Sequence, residues 1–110
     1  MEMIFSNKGK KTWETDNGFN NDGTRFFNDG NIFRGAGQTF WDNGSFMTGG
    51  NNGTIHKNEQ NNMLNQNGTN YWFDDKSNTL RSSKGDTFWG VNSLDDAARL
   101  IAMNDVDDDF

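Results

Sequence analysis

Apolar residues in this chain come in groups of one to three, divided by runs of Asn, Asp and Gly, and the alternation keeps a fixed beat. Thr24, Thr39, Thr54 and Thr69 stand fifteen residues apart. Each unit that follows carries a first apolar group, an Asn/Asp/Gly turn, a second apolar group and a second turn. The first groups are Trp13; Phe26 and Phe27; Phe40 and Trp41; Ile55; and Tyr71, Trp72 and Phe73. The second groups are Phe19; Ile32 and Phe33; Phe46 and Met47; Met63 and Leu64; and Leu80. Self-similarity at a fixed period marks a repeat protein.

Asn-Gly and Asp-Gly pairs tolerate the positive φ angles of two-residue hairpin turns, and they recur here as Asn17-Gly18, Asp29-Gly30 and Asn43-Gly44 between β-prone aromatic runs. Each unit therefore reads as a β-hairpin. A second turn, as in Asp22-Gly23, Gly35-Ala36-Gly37 and Asn67-Gly68, reverses the chain before the next Thr. The expected fold is mainly β, an antiparallel meander of about 15-residue hairpin repeats with strands of about four to five residues. A β-solenoid with one coil per unit is the alternative.

The last twenty residues change period. Ser93 and Asp96 form a capping-box pair, and Leu94, Ala97, Ala98 and Ile101 fall at helical spacing. One amphipathic α-helix is expected from about Ser93 to Met103, lying over one face of the sheet. The chain divides into an N-terminal strand or arm (1–11), a hairpin body (12–91), the helix (92–104) and an acidic tail (105–110).

Adjacent aromatics carry the strongest functional signal. Successive strand residues point to opposite faces, so Phe40-Trp41, Tyr71-Trp72 and Phe88-Trp89 put rings on both sides of the sheet. One short helix cannot cover both. Curling of the sheet, pairing of two copies into a homodimer, or a partner protein must take the remaining face, and aromatic rings dominate interface hot spots. Phe40, Trp41, Tyr71, Trp72, Phe88 and Trp89 are the candidate partner-binding residues.

Composition narrows the classes. Hydrophobic residues make up only 31% of 110, so the ten Phe and four Trp must carry much of the packing. Without Cys there are no disulfides or thiolate sites, which fits a reducing cytoplasm. No apolar run reaches the length of a bilayer span, and residues 1–11 lack a signal-peptide core, so no membrane partner is expected. Six Asp against Arg99 follow Asn92, a balance of −5 in a total of −6, leaving the repeat body nearly neutral. That body lacks the basic stripe of a direct nucleic acid binder.

Catalytic chemistry has little to work with. His56 is the single histidine and reads as a surface residue; Glu14, Asp42, Asp74 and Asp75 read as solvated acids at strand ends and turns. Asp16, Asn20, Asp22, Asp29 and Asn31 offer oxygen ligands but not the spacing of a calcium loop. The Asn-Gly-Ser/Thr triplets at Asn43, Asn52 and Asn67 follow from turn chemistry. No cofactor, metal or enzymatic activity is expected.

Two resemblances add to this reading. The Thr-aromatic-x-x-Asp/Asn-Gly units from Thr12 to Gly90 resemble Gly/Asn/Asp-rich β-repeat proteins of bacteria and phages, and share the aromatic-plus-Gly hairpin flavour of MORN repeats without their Tyr-x-Gly-x-Trp core. The terminal DVDDDF is similar to the acidic tip of single-stranded-DNA-binding proteins, with Asp109 where Ile-Pro commonly precedes the last Phe. That resemblance implies that Phe110 anchors in a basic pocket while Asp107, Asp108 and Asp109 steer encounter. The expected function is a non-enzymatic module that binds a host protein or protein complex, an inhibitor of a host enzyme or defence complex of the kind made by phages and mobile elements (anti-CRISPR-like), in the host cell cytoplasm. The alternative is a carbohydrate- or surface-binding module in which Trp41, Trp72 and Trp89 stack on sugars.

Overall fold

A computed structural model describes residues 3–49 and 53–107. Its strands run β1 (Met3–Ser6), β2 (Lys11–Thr15), β3 (Gly18–Asn21), β4 (Thr24–Asp29), β5 (Ile32–Gly35), β6 (Gln38–Asp42), β7 (Phe46–Thr48), β8 (Ile55–Asn58), β9 (Met63–Gln66), β10 (Thr69–Asp74), β11 (Thr79–Ser82) and β12 (Thr87–Trp89), followed by the helix α1 (Leu94–Asp107). Every strand pairs antiparallel with its neighbours in sequence. β1 also pairs with β12, through Phe5↔Trp89 and Ser6↔Phe88, so the meander closes into a barrel.

Turn chemistry makes the wall regular. Asp22-Gly23, Ala36-Gly37 and Asn67-Gly68 have positive φ at both central residues, the pattern whose twist matches paired strands. The first Asn-Gly pair works differently. Asp16 and Asn17 form the β2–β3 turn, and Gly18 is already the first residue of β3, where a Cβ would collide with the backbone of Phe26. Its glycine serves close packing and not a left-handed turn.

Side-chain alternation sorts the rings. Phe19, Phe26, Phe33 and Phe40 point inward on successive strands; Phe26 stacks on Phe33 at 5.5 Å, and Phe19 and Phe40 meet Phe33 at 6.3 and 6.4 Å. Each such pair adds about 0.5–1.5 kcal/mol beyond the area it buries.

The helix fills the barrel and does not lie over a sheet face. Leu100, Ile101, Ala102, Met103 and Asn104 are five consecutive residues, more than one full turn, and each is at most 1% exposed. A helix buried on all sides needs walls on all sides. Twelve strands about 4.8 Å apart give a radius of about 9 Å before tilt, which suits a helix about 10–12 Å across with its side chains. Closure of the sheet therefore removes the expected one-sided role of α1, and the helix runs to Asp107, beyond the amphipathic stripe. Ser93 caps it as expected, its Oγ accepting from the Asp96 N–H at 3.1 Å.

No described helix is long and apolar enough to cross a membrane. The described strands hold three to six residues, short of the about nine to eleven that a membrane-spanning strand needs.

Candidate functional site

Closure splits each expected aromatic pair. Phe40, Tyr71 and Phe88 turn inward into the core, where no partner reaches them, while Trp41, Trp72 and Trp89 face outward and stay 53%, 45% and 46% exposed. The three Trp do not gather in one place. Trp41 on β6 is six strands from Trp89 on β12, the opposite side of the wall. Trp89 instead lies beside Phe5 across the closing seam, with Met3 further along β1. Trp72 and its cross-strand neighbour Arg81 flank this patch on β10 and β11. Asp107 ends α1, and Asp108, Asp109 and Phe110 lie outside the described residues.

A buried lysine holds the helix in its barrel. In β8 the period of two puts Lys57 on the same inward face as Ile55, and its side chain is 1% exposed. Lys57 Nζ donates to Asp42 Oδ1 at 2.8 Å and to Asp95 Oδ1, on the first turn of α1, at 3.1 Å. Burial pushes the Asp42 carboxyl up, but the Lys57 ammonium, the Gly44 N–H and the Arg99 charge outweigh it and hold the group below its ordinary value of 3.8. Asp42 is thus an ion-pair partner and not the solvated acid expected. The acids at the helix start also suit the positive end of its dipole. Sequence reasoning passed over Lys57, although the alternation Ile55-x-Lys57 was a signal for it.

Outside the wall, β8, β9 and β10 form the floor of an open groove of about 720 Å³ lined by Ser45, His56, Asn58, Met63, Asn65 and Asn70 among others. His56 is exposed and its ring stacks parallel to Phe46, 6.1 Å between centroids and 7° between planes. Asn65 Nδ2 donates to Asn70 Oδ1 at 2.7 Å, and the Gln60 N–H donates to Asn58 Oδ1 at 3.1 Å. These bonds fix three carboxamides at the groove.

The remaining acids do not meet. Glu14, Asp42 and the Asp74-Asp75 pair sit on β2, β6 and the end of β10, each four strands from the next around the barrel. The backbone N–H of Lys76 and the hydroxyl of Ser77 hold the exposed Asp74 carboxyl below its ordinary value, the signature of a turn-capping acid. Asn20 Oδ1 likewise accepts from the Gly23 N–H at 2.8 Å, so it closes a turn. Among the described residues, no three His, Cys, Asp or Glu side chains are grouped to hold a metal ion. Comparison of the chain with protein-family models, curated proteins and solved structures returns no match, so its function has to be argued from this geometry.

Proposed function

We propose that the protein is a non-enzymatic binding module that engages another protein through the outward aromatic face of β10, β11, β12 and β1. One observation carries this reading: Phe5 and Trp89 stand side by side on the outside of the closing strands, 44% and 46% exposed, although the core is filled without them. Nearly half of each ring is left in water, apolar area that the fold itself does not cover. Placed under a partner they supply large, rigid contact area, and Arg81 adds a charged anchor next to Trp72. The narrower reading, an inhibitor of a host enzyme or defence complex acting in the host cytoplasm, draws on the net charge of −6 and the single histidine.

The test compares the immobilised protein with its Phe5→Ala/Trp89→Ala variant for capture of proteins from cell lysate. Both substitutions lie outside the core, so the variant is expected to keep its β signal in circular dichroism. A protein retained by the wild type and lost by the variant supports the reading. Identical capture by the two overturns it. Light scattering after size exclusion distinguishes a second copy of the chain as the occupant, since the variant would then change from dimer to monomer.

A further inference from the structure

We infer that the groove over β8, β9 and β10 is a binding site for a neutral oligosaccharide, distinct from the Phe5–Trp89 seam and bordering the aromatic face at Trp72, the cross-strand neighbour of Met63. Its volume of about 720 Å³ falls within the range of about 300–1,000 Å³ typical of ligand sites, and its open shape suits a chain lying along it. The lining decides the chemistry. The Asn65–Asn70 bond consumes one donor and one acceptor and leaves Asn65 Oδ1 and Asn70 Nδ2 without partners among the described residues. An acceptor and a donor on one hydrogen-bonded pair of carboxamides match two neighbouring hydroxyls, since each hydroxyl both gives and accepts. Asn58, with its Oδ1 occupied by the Gln60 N–H, presents a further fixed Nδ2. Because these amides are already oriented, a ligand does not have to order them.

Charge disfavours anionic ligands. Lys57 borders the groove, but its ammonium lies inside the barrel between Asp42 and Asp95, so it offers nothing to a phosphate or sulfate. Glu59 in the lining repels polyanions further. An apolar ligand would strand the carboxamides, whose desolvation without partners is costly. A neutral, hydroxyl-rich ligand pairs with them, while the Met63 thioether and the exposed His56 ring in the lining meet the C–H side of a sugar ring.

The experiment titrates isotopically labelled protein with maltotetraose, cellotetraose and chitotetraose, and with a heparin tetrasaccharide as the anionic probe, following side-chain amide resonances. With at least one neutral tetrasaccharide the amides of Asn58, Asn65 and Asn70 are expected to shift. Asn65→Ala and Asn70→Ala, both outside the core, should each weaken that binding about tenfold. Phe5→Ala/Trp89→Ala should leave it unchanged, so the groove and the aromatic face succeed or fail independently. No shift with any neutral probe at millimolar concentration overturns the inference. So does binding of heparin alone, or binding that Asn65→Ala and Asn70→Ala do not weaken.

Discussion

From β3 to β6 the inside of the wall is a row of rings, Phe19, Phe26, Phe33 and Phe40, one per strand and seven residues apart, joined by two-residue turns, with Asn21 as a buried polar side chain at the end of β3. From β8 to β11 the inside mixes Ile55, Leu64, Tyr71, Phe73 and Leu80 with buried Lys57, Gln66, Thr69 and Ser82, and the turns at 59–62 and 75–78 are twice as long. The ring row rests on dispersion and apolar burial, which pH and salt hardly touch. The second arc gives up part of that burial for polar groups. It is also the arc that grips the helix through Lys57 and carries the groove on its outer side. Cohesion and recognition therefore sit in different sectors of one continuous sheet.

The comparison breaks first at Phe33, which touches three other rings. Phe33→Ala should cost about 3–5 kcal/mol in urea unfolding; a loss no larger than that of Gln66→Ala would show that the two arcs contribute alike. Lys57→Ala removes the shared cation of Asp42 and Asp95. Breaking a fully buried pair costs about 3–5 kcal/mol, and because the Asp95 side chain is 57% exposed the expected loss is nearer about 1–3 kcal/mol.

The same contact, which ties the end of β6 to β8 and to α1, sets an acid limit on the fold. Asp42 is depressed in the folded state, so its contribution is complete above the ordinary carboxylate value of 3.8 and disappears as pH falls through the lower folded value. Asp42→Asn should flatten the stability profile below about pH 4, where Phe33→Ala leaves the slope intact. At the helix start, Ser93→Ala should cost about 1 kcal/mol through the lost bond to the Asp96 N–H. Trp89→Ala is the smallest, within about 0.5 kcal/mol of wild type, as an outward residue whose role is contact with another molecule.

Much of the wall and the helix start was legible in sequence because their signals are local. Asp22-Gly23 and Asn67-Gly68 fix turns by their own conformational preference, Ser93 caps by its own hydroxyl, and the doubled aromatics give one ring to each face. The fifteen-residue Thr period concealed a finer one. The interval of seven between Phe19, Phe26, Phe33 and Phe40 is one strand plus one turn, and it counts strands around a wall. Closure itself is not local: nothing in Phe5 or Trp89 alone says that they meet, and without closure α1 has only one face to cover. Lys57 was missed because a lysine in an Asn-rich stretch reads as solvated until its strand phase is taken together with Ile55. The groove was illegible for a similar reason, since Asn65 and Asn70 become a fixed donor–acceptor pair only when β9 and β10 are in register.

Among the described residues all strand pairings but one join neighbours in sequence; at the exception, Phe5 meets Trp89 across 84 residues. Hairpins form in microseconds, so most of this sheet can assemble while the chain is still being made. Its seam must wait. α1 follows β12 and has to occupy the interior as the two terminal strands join, which makes the helix the former around which the ribbon is rolled. Until α1 has left the ribosome, the nascent chain carries two open edges and an unfilled row of Phe rings, the state in which strands pair with the wrong molecule. A barrel with no edge in its finished form is thus most exposed to aggregation in the interval between the synthesis of its first strand and its last helix.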